Sequence, residues 1–243
     1  MTEKEPLVPE PPHGWGDDTL ADFIDTARRN VLASFVRLQP SYRRLSDVDK
    51  GFRLIGENLL NPPDWFICLF LLRTHSSYLG GAHLALAGQL PECYMLLRGS
   101  LESAVYAFYF HHNPRSHERW LRRHDSPQTK KIVRDEFQIA ALLRLLIKHD
   151  EKLGTIASTL YERTIDFGGH PNERAVTQML KLTKKERRID VNYLTGHTSG
   201  MDLALKSVAQ VGVCGLKIFR YAFPERYDLL GLTDRLRQLE ADL

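Results

Sequence analysis

The sequence predicts an all-α protein, a single-domain multi-helix bundle around two long central antiparallel helices, with a small irregular or β-hairpin insertion near residues 175–198. Three observations point there. Apolar residues recur at three- and four-residue intervals along most of the chain. Prolines and capping residues interrupt that pattern at helix-length intervals. A content of 43% hydrophobic and 26% charged residues in 243 supplies a sizeable core and an ordinary soluble surface.

Residues 1–17 are acidic and proline-rich, without the basic and apolar regions of a secretory signal, and read as a disordered tail ahead of a bundle domain over 18–243. Leu20, Phe23, Ile24, Ala27, Val31, Phe35 and Leu38 fall on one stripe of a first helix, opened by Asp17 and Asp18 and closed by Pro40. Val48, Phe52, Ile55 and Leu59 repeat the pattern between Ser46 and Pro62. Residues 64–89 and 92–112 are apolar on nearly every side. Pro91 suits a first helical position, so they read as the two central helices, with Gly80 and Gly81 letting a neighbour approach closely.

A short basic helix over 115–124 leads to Ser126 as N-cap and Pro127 at the first helical position of one further amphipathic helix, KKIVRDEFQIAALLRLLIKHD. Gly154 is expected to break the chain before a stretch to about 165, and Gly168, Gly169 and Pro171 to force a turn. In the insertion Thr183 and Glu186 have capping-box spacing, whereas RIDVNYL alternates as a strand does, and both readings stay open. A helix over about 199–222 is broken by Pro224, and residues 228–243 make the last helix.

Cys68, Cys93 and Cys214 are far apart and set among apolar neighbours, the pattern of reduced core thiols in a cytoplasmic protein. The longest apolar run, WFICLFLL at 65–72, is far short of the roughly 18–20 residues that span a bilayer, so no membrane partner is expected. No phosphate-binding loop, dinucleotide fingerprint or nucleophile elbow occurs. His75 and His83 share a helix face and His111, His112 and His117 crowd a helix end. No carboxylate or cysteine completes a ligand spacing there, so neither a metal nor a cofactor is predicted.

Arg98 and Glu102 stand one turn apart in the second central helix. Burying either charge alone costs several kcal/mol, so the pair predicts either a scaffold ion pair or a polar pocket, with Tyr94, Tyr106 and Tyr109 near enough to extend it. His170, between two glycines and a proline and followed by Asn172, Glu173 and Arg174, is the residue best placed to meet that face from elsewhere.

The stretch SYLGGAHLALAGQLPECYMLLRGSLESAVYAFYFHHNP, with GGHPNE far downstream, resembles a family of uncharacterised bacterial helical proteins carrying an LLRxxxE helix and a later His-Pro turn. It is more distantly similar to the HEPN superfamily. The likeness covers roughly residues 60–175, beyond which only the helical pattern carries over. It implies a helical fold and, for active members, metal-independent ribonuclease chemistry by an Arg and a His placed across a dimer interface. Three pairs have the Arg-x(4–6)-His spacing: Arg119 with His124, Arg144 with His149 and Arg163 with His170. The family's polar residue after the Arg is absent at Trp120 and Leu145, which leaves Arg163 and His170. The resemblance implies His170 as general acid or base at a ribose hydroxyl, with Arg163 or Arg98 stabilising the phosphorane.

Charge segregation is a separate observation. Residues 111–134 hold Arg115, Arg119, Arg122, Arg123, Lys130, Lys131 and Arg134 against Glu118 and Asp125. A second cluster at 181–188 contains Lys184, Lys185, Arg187 and Arg188. Such clusters suit RNA phosphates, with Trp120 available for stacking, or form solvated faces in which Glu118 and Arg122 pair. Two functions therefore stand: a non-catalytic interaction or ligand-binding module, or a HEPN-like ribonuclease or RNA-binding protein. A homodimer and RNA are the partners these readings bring.

Overall fold

The chain folds as α1 (Thr19–Arg37), α2 (Gln39–Glu57), α3 (Trp65–Ala87), α4 (Leu90–His112), α5 (Ser116–Leu121), a 3-10 turn (Arg122–His124), α6 (Pro127–Glu136), α7 (Ile139–His149), α8 (Glu151–Thr164), a π-turn (Ile165–Gly169), β1 (Leu180–Thr183), β2 (Arg188–Val191), α9 (Ser199–Phe219), α10 (Pro224–Leu229) and α11 (Leu232–Ala241). This is an all-α multi-helix bundle with one small insertion, an antiparallel strand pair in which Leu180 faces Val191 and Thr183 faces Arg188. The structure is a computed structural model and describes residues 11–59, 65–169, 173, 177, 180–183 and 188–241.

Local chemistry accounts for several helix starts. Asp18 accepts from the Ala21 amide at 2.8 Å, Asp150 from the Leu153 amide at 2.9 Å and Thr198 from the Met201 amide at 3.3 Å. Ser126 and Thr129 form a reciprocal capping box ahead of Pro127. Each satisfies amide donors that the first helical turn leaves open.

Antiparallel packing of α3 on α4 depends on small residues. A Cβ at Gly80 would lie 2.7 Å from Leu96 Cδ1, and one at Gly81 would lie 3.1 Å from Leu97 Cδ2. Thr74 and Ser100 exchange side-chain to carbonyl hydrogen bonds across the same seam, at 3.4 and 3.1 Å. Helix α9 completes the centre: a Cβ on Gly212 would meet Val48 at 2.5 Å and the Tyr78 ring at 2.6 Å. The apolar run at 65–72 is explained by an aromatic cluster, with Phe66 and Phe70 against Phe110 and Trp120 at centroid separations of 5.0–6.1 Å.

Several expectations give way to tertiary packing. Pro40 does not close α1; it sits in the first turn of α2, where its missing N–H costs nothing, and α2 then runs through Ser46 without a break. On α1 the buried positions are Ala21, Ala27 and Ser34, while Leu20, Ile24 and Phe35 are exposed. Helix α3 is not buried all round, because Trp65, Leu69, Leu72 and Leu79 face outward. The single helix expected after Pro127 divides at Phe137 and Gln138, where the Phe137 carbonyl accepts the Tyr106 hydroxyl at 2.9 Å. Gly154 lies inside α8 rather than breaking it. Its lack of a side chain lets α8 approach α7, since a Cβ there would stand 2.5 Å from the Ile147 backbone. The last helix divides at Gly231, whose φ of 62° suits a residue without Cβ.

Candidate functional site

Helices α8 and α9 run antiparallel, and the π-turn after α8 docks on the start of α4. Gly168 makes that docking possible, because a Cβ there would lie 2.2 Å from the Pro91 carbonyl oxygen. Between α8, α9 and α11 lies a groove of about 330 Å³. Leu153, Ile156, Leu160 and Val213 supply its apolar floor, and Arg163, Gln210, Lys217 and Glu240 its polar groups. It continues past Lys217 and Glu240 into a second hollow of about 600 Å³ reaching Tyr221, Arg220 and Arg237. Volumes of this order suit a small ligand.

At one end, Arg163 Nη1 donates to Gln210 Oε1 at 2.7 Å and to Ser207 Oγ at 3.2 Å. Ser207 donates onward to the Leu203 carbonyl at 2.8 Å and lies 3.5 Å from the Tyr94 hydroxyl, whose pKa burial pushes up to about 12. Both acceptors of Arg163 are neutral; among the described residues no carboxylate reaches it. At the other end Lys217 Nζ bonds Glu240 at 2.7 Å and so holds the Glu240 carboxyl below the usual carboxylate range, with burial opposing. Cys214 lines the floor as a free thiol, and burial raises its pKa to about 12, which keeps it neutral.

Arg98 and Glu102 have a different environment. Arg98 Nε and the Tyr161 hydroxyl both donate to Glu102 Oε1, at 2.9 and 3.0 Å, and the guanidinium lies 5.5 Å from the Tyr161 ring centroid. Burial, reinforced by the Glu102 charge, pushes the Tyr161 pKa up to about 12. The side chains of Arg98 and Glu102 are 27% and 34% exposed, so the deep burial expected of them is not found; the pair sits on the half-open flank of α4. None of the three expected tyrosines joins it. Tyr94 turns to Ser207, Tyr106 to Phe137 and Tyr109 to Glu136. Arg98 on α4, with Tyr161 of α8, and Arg163 on α8, with Ser207 and Gln210 of α9, thus belong to separate constellations.

His170 lies outside the described residues, as do Lys184, Lys185, Arg187 and Glu186. Thr183 is the last residue of β1 and Arg188 the first of β2. The first basic cluster is described in full. Arg115, Arg119, Arg122, Arg123, Lys130, Lys131 and Arg134 are all exposed on the α5–α6 projection. Arg115, Arg119 and Arg122 line a cleft of about 560 Å³ there. Arg119 binds Glu136 at 2.8 Å and holds that carboxyl low, and Arg122 pairs with Glu118 at 2.8 Å as its spacing predicts. Arg115, Arg123, Lys130 and Lys131 have no acidic partner among the described residues. Trp120 is half-buried, its ring in edge contact with Phe66, Phe70 and Phe110.

His111, His112 and His149 lie together, the His112 ring centroid 5.0 Å from that of His111 and 4.5 Å from that of His149, while the others are scattered. His75 Nε2 meets Asp49 Oδ1 at 2.6 Å under a stacked Phe52 ring, His83 is exposed, and His117 packs on Phe66 and Phe110. Among the described residues no three His, Cys, Asp or Glu side chains group as metal ligands, and no helix is long and apolar enough to cross a membrane. Sequence reasoning selected Arg163 but missed Gln210, Lys217 and Glu240. Their only signal was a polar residue on an otherwise apolar α9 face and a complementary charge 23 residues further on.

The fold and the groove together define an all-α bundle with a half-buried, partly apolar groove carrying one arginine held by neutral partners. Compared with known proteins, the chain matches no family model, no curated protein and no solved structure.

Proposed function

We propose that the chain is a non-catalytic helical module that holds a small ligand in the α8–α9–α11 groove. The observation that carries this is the pairing of an apolar floor with an arginine whose donors are only partly used among the described residues. The thiol on the floor is neutral and makes a poor nucleophile, which favours binding over covalent chemistry. A neutral apolar dye, Nile red, tests the reading. Its emission should rise with the wild-type protein and return to baseline in Thr159→Trp, which fills the groove from an exposed rim position and should leave Tm unchanged. Equal emission from both proteins places the dye elsewhere and contradicts the reading.

The exposed α5–α6 cluster favours a second reading, a HEPN-like ribonuclease or RNA-binding protein, working as a homodimer in which Arg163 and His170 act together. Labelled single-stranded RNA in EDTA tests it. Cleavage lost in His170→Ala supports the ribonuclease. Salt-sensitive binding lost in a combined Arg123→Gln, Lys130→Gln, Lys131→Gln variant supports binding alone, and the absence of both cleavage and binding overturns the reading.

A further inference from the structure

We infer that the groove takes an aliphatic monoanion, a medium-chain carboxylate by chemical class, with its head on Arg163 and its chain along Leu160, Ile156 and Val213. This rests on the ligand-binding reading above.

The head is specified by unused donors. A guanidinium has five N–H groups, and here both bonds leave from Nη1, so among the described residues Nε and Nη2 keep theirs. Those two nitrogens form the flat edge that grips a carboxylate through two parallel hydrogen bonds. Gln210 strengthens the preference. Its oxygen is occupied by Arg163, which leaves its amide NH₂ as a further donor at the same end. Among the described residues a cation finds no carboxylate at this end, whereas an anion finds several donors in a site where partial burial weakens screening by water.

The tail is specified by the floor and by what stands at its far end. From Gln210 to Lys217 is seven residues of α9, roughly 10 Å of helix at about 1.5 Å per residue, and the floor between them is apolar. At the far end the cations already have carboxylate partners: Lys217 and Lys152 both reach Glu240, at 2.7 and 3.6 Å, and Arg220 and Arg237 reach Asp228 and Asp234, at 3.7 and 2.8 Å. One charge at the Arg163 end and an uncharged chain of about that length is the arrangement both ends accept.

Calorimetric titration with octanoate and with octanamide, its neutral isostere, tests this on the full chain. Octanoate should bind at least tenfold more tightly than octanamide, and Arg163→Gln should remove that preference in a protein that still unfolds cooperatively. Arg163→Lys, which keeps the charge but not the two-pronged edge, should keep part of it and guards against a folding defect in the first variant. If the two compounds bind alike while Nile red still enters the groove, the ligand class is wrong and the binding reading stands. If neither compound nor the dye binds, both fall.

Discussion

Arg98 and Arg163 lie on neighbouring faces of one helical sandwich, yet they teach opposite lessons about what a charge inside a bundle is for. Around Arg98 the charge is balanced locally: Glu102 accepts from both the guanidinium and the Tyr161 hydroxyl, and the tyrosine ring lies beneath the cation. Around Arg163 the acceptors are an amide and a hydroxyl, no carboxylate among the described residues neutralises the positive charge, and an apolar hollow adjoins it. A balanced charge fixes how helices dock; an unbalanced one beside a cavity selects what enters. The sequence pattern LLRGSLE draws the eye to the first arginine, but the second has the geometry of a ligand contact.

The sharpest break between the two is ligand binding. Arg163→Gln should weaken octanoate binding at least tenfold, about 1.4 kcal/mol, while Arg98→Gln leaves it within twofold; calorimetry on both variants decides. Stability should divide the other way. Glu102→Ala strands two donors, and with a third of the carboxylate exposed to solvent the cost is roughly 1–2 kcal/mol, a fall of several degrees in Tm. An unchanged melting temperature would show that the pair is not part of the scaffold. Tyr161→Phe keeps the ring under Arg98 and removes one hydrogen bond, so a smaller loss, about 0.5–1 kcal/mol by denaturant titration, is expected.

The smallest effect concerns the far end of the groove. Lys217 lowers the Glu240 pKa, so the stabilisation is present above the ordinary carboxylate value of about 4.3 and is lost as pH falls through the lower folded value. The Tm difference between wild type and Lys217→Gln should therefore be present at neutral pH and close towards zero as the solution is acidified below about pH 4. A difference that does not change with pH would mean Lys217 acts by packing alone.

What could be read from the sequence was local. The Asp18, Ser126 and Pro127 signals mark real helix starts because capping is settled within a few residues, and Gly80 and Gly81 mark a close helix contact because absence of a side chain has few other uses inside a helix. What could not be read was decided by partners distant in sequence. Gly154 looks like a breaker until Asp150 caps the helix ahead of it and α7 presses against it. The split at Phe137 has no glycine or proline to announce it and depends on the Tyr106 hydroxyl, 31 residues away. The groove joins Arg163 to Gln210, 47 residues apart, and Lys217 to Glu240, so no linear spacing reveals it.

The most direct measurement follows the two arginines together, through their Nε–Hε signals in an NMR spectrum of the isotopically labelled protein during titration with octanoate. The Arg163 signal should move progressively and saturate, and the Arg98 signal should hold its position, because Arg163 lines the groove and Arg98 bonds Glu102 outside it. Movement of Arg98 with Arg163 unmoved would place the ligand at the Glu102 constellation and contradict the account.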